Sequence, residues 1–379
     1  MRVLVLTNHF SEFAGSEVVA LEVAQWFRAR GDQVVLATNL ARPPMSELLA
    51  SIELRQDIQD IDLSAFDLVW CQHGLLALLP LSAFASAAAR PPLTALVSLS
   101  PFEPYEHMNG ILAAALSARV VANSPETADD IVRRNHGLIK RDRIMVFHNA
   151  APDAFWTPPA PAPSALRSLT LVSNHAPPEL RAAKVLLEAR GIIVRHLGMH
   201  SDYRRLQVND IDESDALITI GKTVTYALAR AKPTYVYDYF GGPGWLTRAN
   251  FGESLTHNFS GRPAIRRLTA DAIAAEIVEG FENAVTEMVL LRGACDLNRF
   301  RLDTYLAPLR EAALKPSRWR AFKLQSALAS PRFRAHLEFA RQANLVIRRS
   351  YLLANSAALS ERDHNPNLWP NRVNGGSSS

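Results

Sequence analysis

Cysteine is nearly absent: Cys71 and Cys295 are the only two among 379 residues. Two thiols cannot build a disulfide framework, and they lack zinc-ligand spacing, so a reducing cytoplasm is the simplest compartment. Long apolar runs are also missing. Gly74–Ala89 runs 16 residues without a charge or histidine but is interrupted by Pro80, short of the roughly 20 apolar residues that a spanning helix needs. Met1–Asn8 holds too short an apolar run for a signal peptide. No Gly-x-Gly-x-x-Gly follows a first strand, which disfavours nicotinamide or flavin binding, and Gly-x-Ser-x-Gly, His-Glu-x-x-His and metal constellations are lacking too.

What is present describes a globular chain. Apolar residues make up 48% and charged residues 21%, enough to bury a sizeable core and too little bias for disorder. At roughly 100–200 residues per domain, two or three domains are expected. The net charge of +4 hides an asymmetry: residues 315–379 carry 11 Lys/Arg against 3 Asp/Glu, while residues 1–314 carry 30 against 34. The basic character belongs to the C-terminal region, and the body gives no ground for nucleic-acid binding.

Short apolar runs alternate with helical periodicity. Val3–Thr7, Val34–Thr38, Asp67–Cys71, Leu93–Val97, Ala118–Ala122 and Ile144–Phe147 read as buried parallel strands. Ser16 is the expected N-cap of the first helix, with Glu17 in its first turn and Gly31 as its stop. After a proline-rich stretch the pattern resumes with Leu169–Ser173, Ile192–His196, Ala216–Ile220 and Thr234–Tyr237. The expected fold is α/β, with two doubly wound Rossmann-like domains facing across a cleft and a helical C-terminal extension. The expected boundaries are 1–150, a linker over 151–165, a second domain over 166–314, and a basic helical extension with a flexible tail over 315–379.

Four segments fall at expected strand ends, where ligands bind in such sheets. Gly15, Ser16 and Glu17 open the first helix and suit a polar ligand or a plain cap. Gly221, Lys222 and Thr223 resemble the end of a phosphate loop, but Ala216 stands where a full P-loop has glycine, which leaves a short phosphate nest or a capped helix with a solvated lysine. Tyr237 and Asp238 lead into Gly241, Gly242 and Gly244, expected as a shaped loop presenting amides to phosphate with aromatics alongside. Asn174 and His175 could hydrogen-bond a nucleotide. On the first-domain side, His73 and Glu103 are the acid–base candidates, with Glu106 and His107 beside them in the cleft. Trp319, Phe322, Phe333 and Leu337, interleaved with arginines and lysines, fit either amphipathic helices on an anionic bilayer or helices packed on the body.

Together these residues resemble the GT-B glycosyltransferases, in particular family 4-like bacterial enzymes of cell-surface polysaccharide synthesis. The resemblance rests on Phe13-Ala-Gly-Ser-Glu17, the crossing segment Ile144–Trp156, Val172-Ser-Asn-His175, and Gly221-Lys-Thr through Trp245. It implies a nucleotide-sugar co-substrate held mainly by the second domain, at Asn174, His175, Gly221–Thr223 and Tyr237–Gly244. It also implies a glycan or lipid-linked acceptor approached from the first domain, metal-independent transfer, and no tightly bound cofactor. Location would be cytoplasmic, with peripheral attachment to an anionic membrane through residues 315–353. One departure stands out: aligning Ala229–Pro233 with the family's turn places Tyr226 where its second glutamate belongs. A nucleotide-sugar epimerase and a non-catalytic nucleotide-sugar-binding subunit are the competing readings.

Overall fold

The structure, a computed structural model, describes residues 1–361 apart from Met108 and His200. Two separate sheets form. The first has seven parallel strands: β1 (Arg2–Phe10), β2 (Gln33–Ala41), β3 (Glu53–Arg55), β4 (Leu68–Gln72), β5 (Leu93–Ser98), β6 (Arg119–Ala122) and β7 (Ile144–Val146). Their order is β3-β2-β1-β4-β5-β6-β7, so the sheet reverses direction between β1 and β4. The second has β8 (Ser168–Val172), β9 (Ile193–Leu197), β10 (Ala216–Thr219), β11 (Thr234–Asp238) and β12 (Gly241–Trp245), ordered β12-β11-β10-β8-β9 with its reversal between β8 and β10. Every pairing is parallel except β11 with β12.

The strands form where the apolar runs are continuous, because a parallel strand covered on both faces excludes water from both sides. Along β1, Val3 and Val5 join one core with Trp26 and Phe27 of helix Gly15–Ala29, while Leu4 and Leu6 join another on the opposite face. Each face is thus closed by helices, as a doubly wound sheet requires. Tyr235 and Tyr237 pack with Leu180 of helix Pro178–Ala189 and with Ile277 and Phe281 of helix Ala270–Ala294.

The chain crosses between the sheets twice. Going out, Phe155 stacks on Tyr226 at 4.2 Å, and Arg230 binds the carbonyls of Thr157 and Pro158. Coming back, Phe300 still packs with the second domain, but Leu302, Tyr305, Leu306 and Leu309 of helix Leu302–Leu314 enter the core of the first sheet. That helix falls within the segment expected to belong to the second domain. Helices Arg318–Ala329 and Pro331–Glu361 follow, as expected for the extension. They put Leu324, Phe333 and Leu337 into the first domain's core but leave Trp319 and Phe322 exposed and stacked on each other at 5.7 Å. The bilayer reading of Phe333 and Leu337 is therefore corrected: both serve packing. Residues 362–379, the end of the segment 315–379 that was expected to finish in a flexible tail, lie outside the described residues. Among those described, no helix is long and apolar enough to cross a membrane.

Candidate functional site

The loops at the two sheet reversals meet, and that meeting defines the site. From the first domain come the loop after β1, the His73 turn after β4 and the loop after β5. From the second come the loop after β8 and the Gly221 turn after β10.

Helix Gly15–Ala29 starts two residues earlier than expected. Ala14 occupies the N-cap and no side chain caps the end, so Ser16 is not the N-cap. A Cβ on Gly15 would meet nothing within 4 Å, so the turn stays open. Glu17 folds back to accept the amides of Ser11 and Glu12 at 2.7 and 3.0 Å. Its fully buried carboxyl is pushed up to about 7 by desolvation, against the pull of those amides. Glu17 thus fixes the loop that the other domain touches: the carbonyl of Phe13 accepts from Asn174 Nδ2 at 3.1 Å, and its amide donates to Tyr203 Oη at 3.1 Å. His175, one residue on from Asn174, is exposed.

Around His73 the residues are packed rather than open. Its Nδ1 accepts from the Asn8 amide at 3.2 Å, and its Nε2 lies 3.5 Å from Glu106. Burial drives the imidazole down to about 3, so it is neutral, and the Asn8 bond places its proton on Nε2. Glu106 accepts the amides of Leu99 and Ser100 at 2.7 and 2.9 Å. Desolvation lifts its carboxyl to about 8, opposed by those amides and reinforced by Glu103. His107 turns the other way, with Nε2 at 3.0 Å from the Ser100 carbonyl and 3.4 Å from Asp130. The expectation is corrected on three residues: His73, Glu106 and His107 hold the loop after β5 in place and are buried beneath it. Glu103, half-buried in that loop, remains nearer solvent.

Gly221 has φ 60° and caps helix Lys222–Ala229, as the strand–turn–helix reading expected. The Lys222 amine does not reach outward. It lies 2.7 Å from Glu22 and donates to the carbonyls of Asn149 and Ala150 at 3.3 and 3.0 Å. Burial lowers the lysine's pKa, with Glu22 opposing. Glu22, buried in the first helix, also receives Tyr226 Oη and lies 3.3 Å from Arg205. Tyr226 thus bonds a glutamate from the other domain. Thr223 is half-exposed in the first turn. Beside it two pairs of left-handed residues converge, His148–Asn149 with φ 53° and 49° and Asn258–Phe259 with φ 57° and 51°. Asn149 Nδ2 donates to Asn258 Oδ1 at 2.8 Å, and the Phe259 carbonyl accepts the Gly221 amide at 3.2 Å. Strained non-glycine backbone of this kind costs about 1–3 kcal/mol per residue and gathers where surroundings over-determine a functional shape.

The expected glycine loop is a strand. Gly241–Trp245 pairs antiparallel with β11, turning at Tyr239–Phe240. A Cβ on Gly241 would sit 2.2 Å from the Arg266 carbonyl, and one on Gly242 2.0 Å from that of Val236. One on Gly244 would sit 2.3 Å from Glu276. These glycines admit neighbouring backbone and side chains, not phosphate. Tyr237 is core, donating weakly to Glu179 at 3.4 Å and accepting the Leu268 amide at 3.0 Å. Asp238 Oδ1 accepts the Phe240 amide at 2.8 Å and shapes the turn. The phosphate role expected of this segment is corrected accordingly. Sequence reasoning passed over Glu22, Arg205, Tyr203 and Asn258. None lies in a motif, and only folding brings them together.

Two Rossmann-like domains whose strand ends oppose each other, with a C-terminal helix returning to the first, make a GT-B-type architecture. No family model and no curated protein matches the sequence. Solved structures similar to this chain include the apo lipopolysaccharide outer core galactosyltransferase WaaB, at 14% identity and TM-score 0.48, covering 83% of this chain and 99% of that one. Acinetobacter baumannii MurG is 12% identical with TM-score 0.45 over 83% and 99%. The Streptomyces sp. SF2575 glycosyltransferase SsfS6, complexed with thymidine diphosphate, is 15% identical with TM-score 0.42 over 82% and 99%.

Proposed function

We propose that the protein is a glycosyltransferase that moves a sugar from a nucleotide-sugar donor to a glycan or lipid-linked acceptor of the bacterial cell surface. The observation that carries this reading is the convergence at Gly221: a helix N-terminus at a sheet reversal, bordered by the strained Asn149 and Asn258 pairs from both halves of the molecule. The first-turn amides of Lys222 and Thr223 precede the helix's own hydrogen-bond ladder and suit the donor diphosphate. The Thr223 hydroxyl adds a donor, and Asn174 and His175 stand at the neighbouring strand end. Lys222 contributes backbone here, while its amine braces the domains. Glu103, at the mouth of the first domain, is the base for the acceptor hydroxyl. In this reading the leaving phosphate is stabilised by the helix terminus without a metal ion. The first domain faces the acceptor, and the exposed Trp319–Phe322 pair with the surrounding basic residues attaches the enzyme to the cytoplasmic face of the membrane.

Incubation with UDP-, GDP-, dTDP- and CMP-sugars, with and without a mixed glycan and lipid-linked acceptor pool, tests the proposal. Acceptor-dependent nucleotide release is expected. Isomerisation of the sugar without acceptor would mark an epimerase, and tight binding without turnover a silent subunit.

A further inference from the structure

The tip of the β11–β12 hairpin exposes two adjacent aromatic rings, Tyr239 at 61% and Phe240 at 40%, in edge contact at 5.6 Å. Phe102, on the first domain's loop after β5, is 48% exposed. The two places are linked through one short segment. A Cβ on Gly261 would touch the Gly241 carbonyl and Asp238 at the hairpin. Its neighbour Arg262 lies 4.6 Å over the Phe102 ring and binds Glu126 of the first domain by two bonds of 2.9 and 2.6 Å. Arg267 lies 5.3 Å over Tyr239.

We propose that Phe102, Tyr239 and Phe240 form a carbohydrate-binding platform at the mouth of the cleft, holding a sugar of the acceptor chain outside the transfer site. The acceptor's identity rests on the glycosyltransferase reading; the platform rests on the surface itself. A pyranose offers a ring an apolar C–H face and presents hydroxyls at its rim, and this surface supplies both partners: exposed ring surface for the C–H face, and for the hydroxyls the guanidinium groups that lie over Phe102 and Tyr239, with their carboxylates. The charges balance. Arg262 is matched by Glu126, and Asp238 lies within electrostatic reach of Arg262 and Arg267. A balanced patch suits a neutral polyol, whereas a nucleic acid or anionic bilayer calls for unmatched cations. The platform is pre-organised, because Asp238 ties the turn and the packed glycines fix the hairpin's base, so little ordering is needed on binding. Its rings come from both domains and lie beyond the C-terminal ends of β5 and β11, where ligands of such sheets enter.

The test is binding of the full chain to an array of mono- to pentasaccharides of glucose, galactose, mannose, rhamnose and N-acetylglucosamine. Phe102→Ala, Tyr239→Ser and Phe240→Ser are compared with Ile265→Ser, a control 81% exposed. Wild type and the control should retain oligosaccharides better than monosaccharides, and each ring variant should bind about tenfold more weakly. Thermal response to UDP, GDP, dTDP and CMP should not change. Ring variants that bind like wild type, or a wild type that retains no oligosaccharide, overturn the platform. A nucleotide response without glycan retention removes the platform alone. Ring-dependent glycan retention without any nucleotide response supports the platform and removes the transferase reading.

Discussion

Replacing Lys222 by methionine separates two employments of that residue. If its amine held donor phosphate, the loss would fall on nucleotide binding and leave the fold alone. The structure places the amine 2.7 Å from Glu22, across the domain interface, with two crossing-segment carbonyls as its other partners. Removing one member of a buried ion pair costs about 3–5 kcal/mol, largely because the remaining charge is stranded. Arg205 and Tyr226 still face Glu22 in the variant, so the lower end, about 3 kcal/mol, is expected. At about 2–4 °C per kcal/mol for domains of this size, the melting temperature should fall by about 6–12 °C. Glu22→Gln should cost a similar amount, since it leaves the lysine's charge opposite a neutral amide. The double variant strands no fully buried charge, since the Arg205 left without its carboxylate is partly exposed, and it should be no less stable than either single, giving a coupling of about 2 kcal/mol or more. Denaturation of all four proteins measures this, and nucleotide titration of the same samples supplies the contrast: Lys222→Met should weaken binding no more than Glu22→Gln. Additive stability losses, or a binding loss specific to Lys222, would refute the interdomain assignment.

Glu17 gives a pH signature. Its folded-state pKa is raised to about 7 by burial, so the folded protein holds that proton more tightly than the unfolded chain. Stability from this group is full below about 4.5 and is lost as pH rises to about 7, about 3 kcal/mol in all. The melting-temperature difference between wild type and Glu17→Gln should shift against wild type from pH 4.5 to 8; a difference constant with pH would contradict the burial argument. Gly241→Ala meets the Arg266 carbonyl at 2.2 Å with φ at 83° and should destabilise by about 2–3 kcal/mol in urea titration; a change below about 0.5 kcal/mol would show that the hairpin shifts freely. In the C-terminal helices, Leu337→Ala should cost about 2–5 kcal/mol without altering vesicle binding. Trp319→Ser with Phe322→Ser should leave stability intact and weaken sedimentation with anionic vesicles; the reverse pattern would transfer the membrane role to the buried face.

The parts legible in the sequence were those governed by local pattern. Ten apolar runs became strands because a run covered on both sides needs no partner-specific information to be buried. β12 was illegible: Gly-Gly-Pro-Gly carries a turn's composition, and only the backbone of β11 and the nearby Arg266 carbonyl make a strand of it. The Gly221 turn was legible because strand, glycine and helix are contiguous. The employment of Lys222 was not, since its partner Glu22 lies in another domain and is brought near only by folding. The extension divided for the same reason. Its aromatics share one sequence pattern, and contact with the first domain alone separates Phe333 and Leu337 from Trp319 and Phe322.

The double crossing of the chain has a consequence for how the molecule is made. At the crossing, Ala151 exchanges backbone hydrogen bonds with Phe300 and Leu302 at 2.7 and 2.9 Å, and the chain beyond supplies Leu302, Leu306, Phe333 and Leu337 to cores begun by β1. Synthesis runs from the N-terminus, yet part of the core on each face of the first sheet stays open until the second domain has been completed and the chain has returned. The domain that emerges first is therefore the last to close. During that interval the second domain, whose core of Tyr235, Ile273, Ile277 and Phe281 is drawn from its own residues, matures while its elder partner waits with apolar surface open. Premature termination near residue 300 would release a finished second domain tethered to an unfinished first one, a natural client for chaperones.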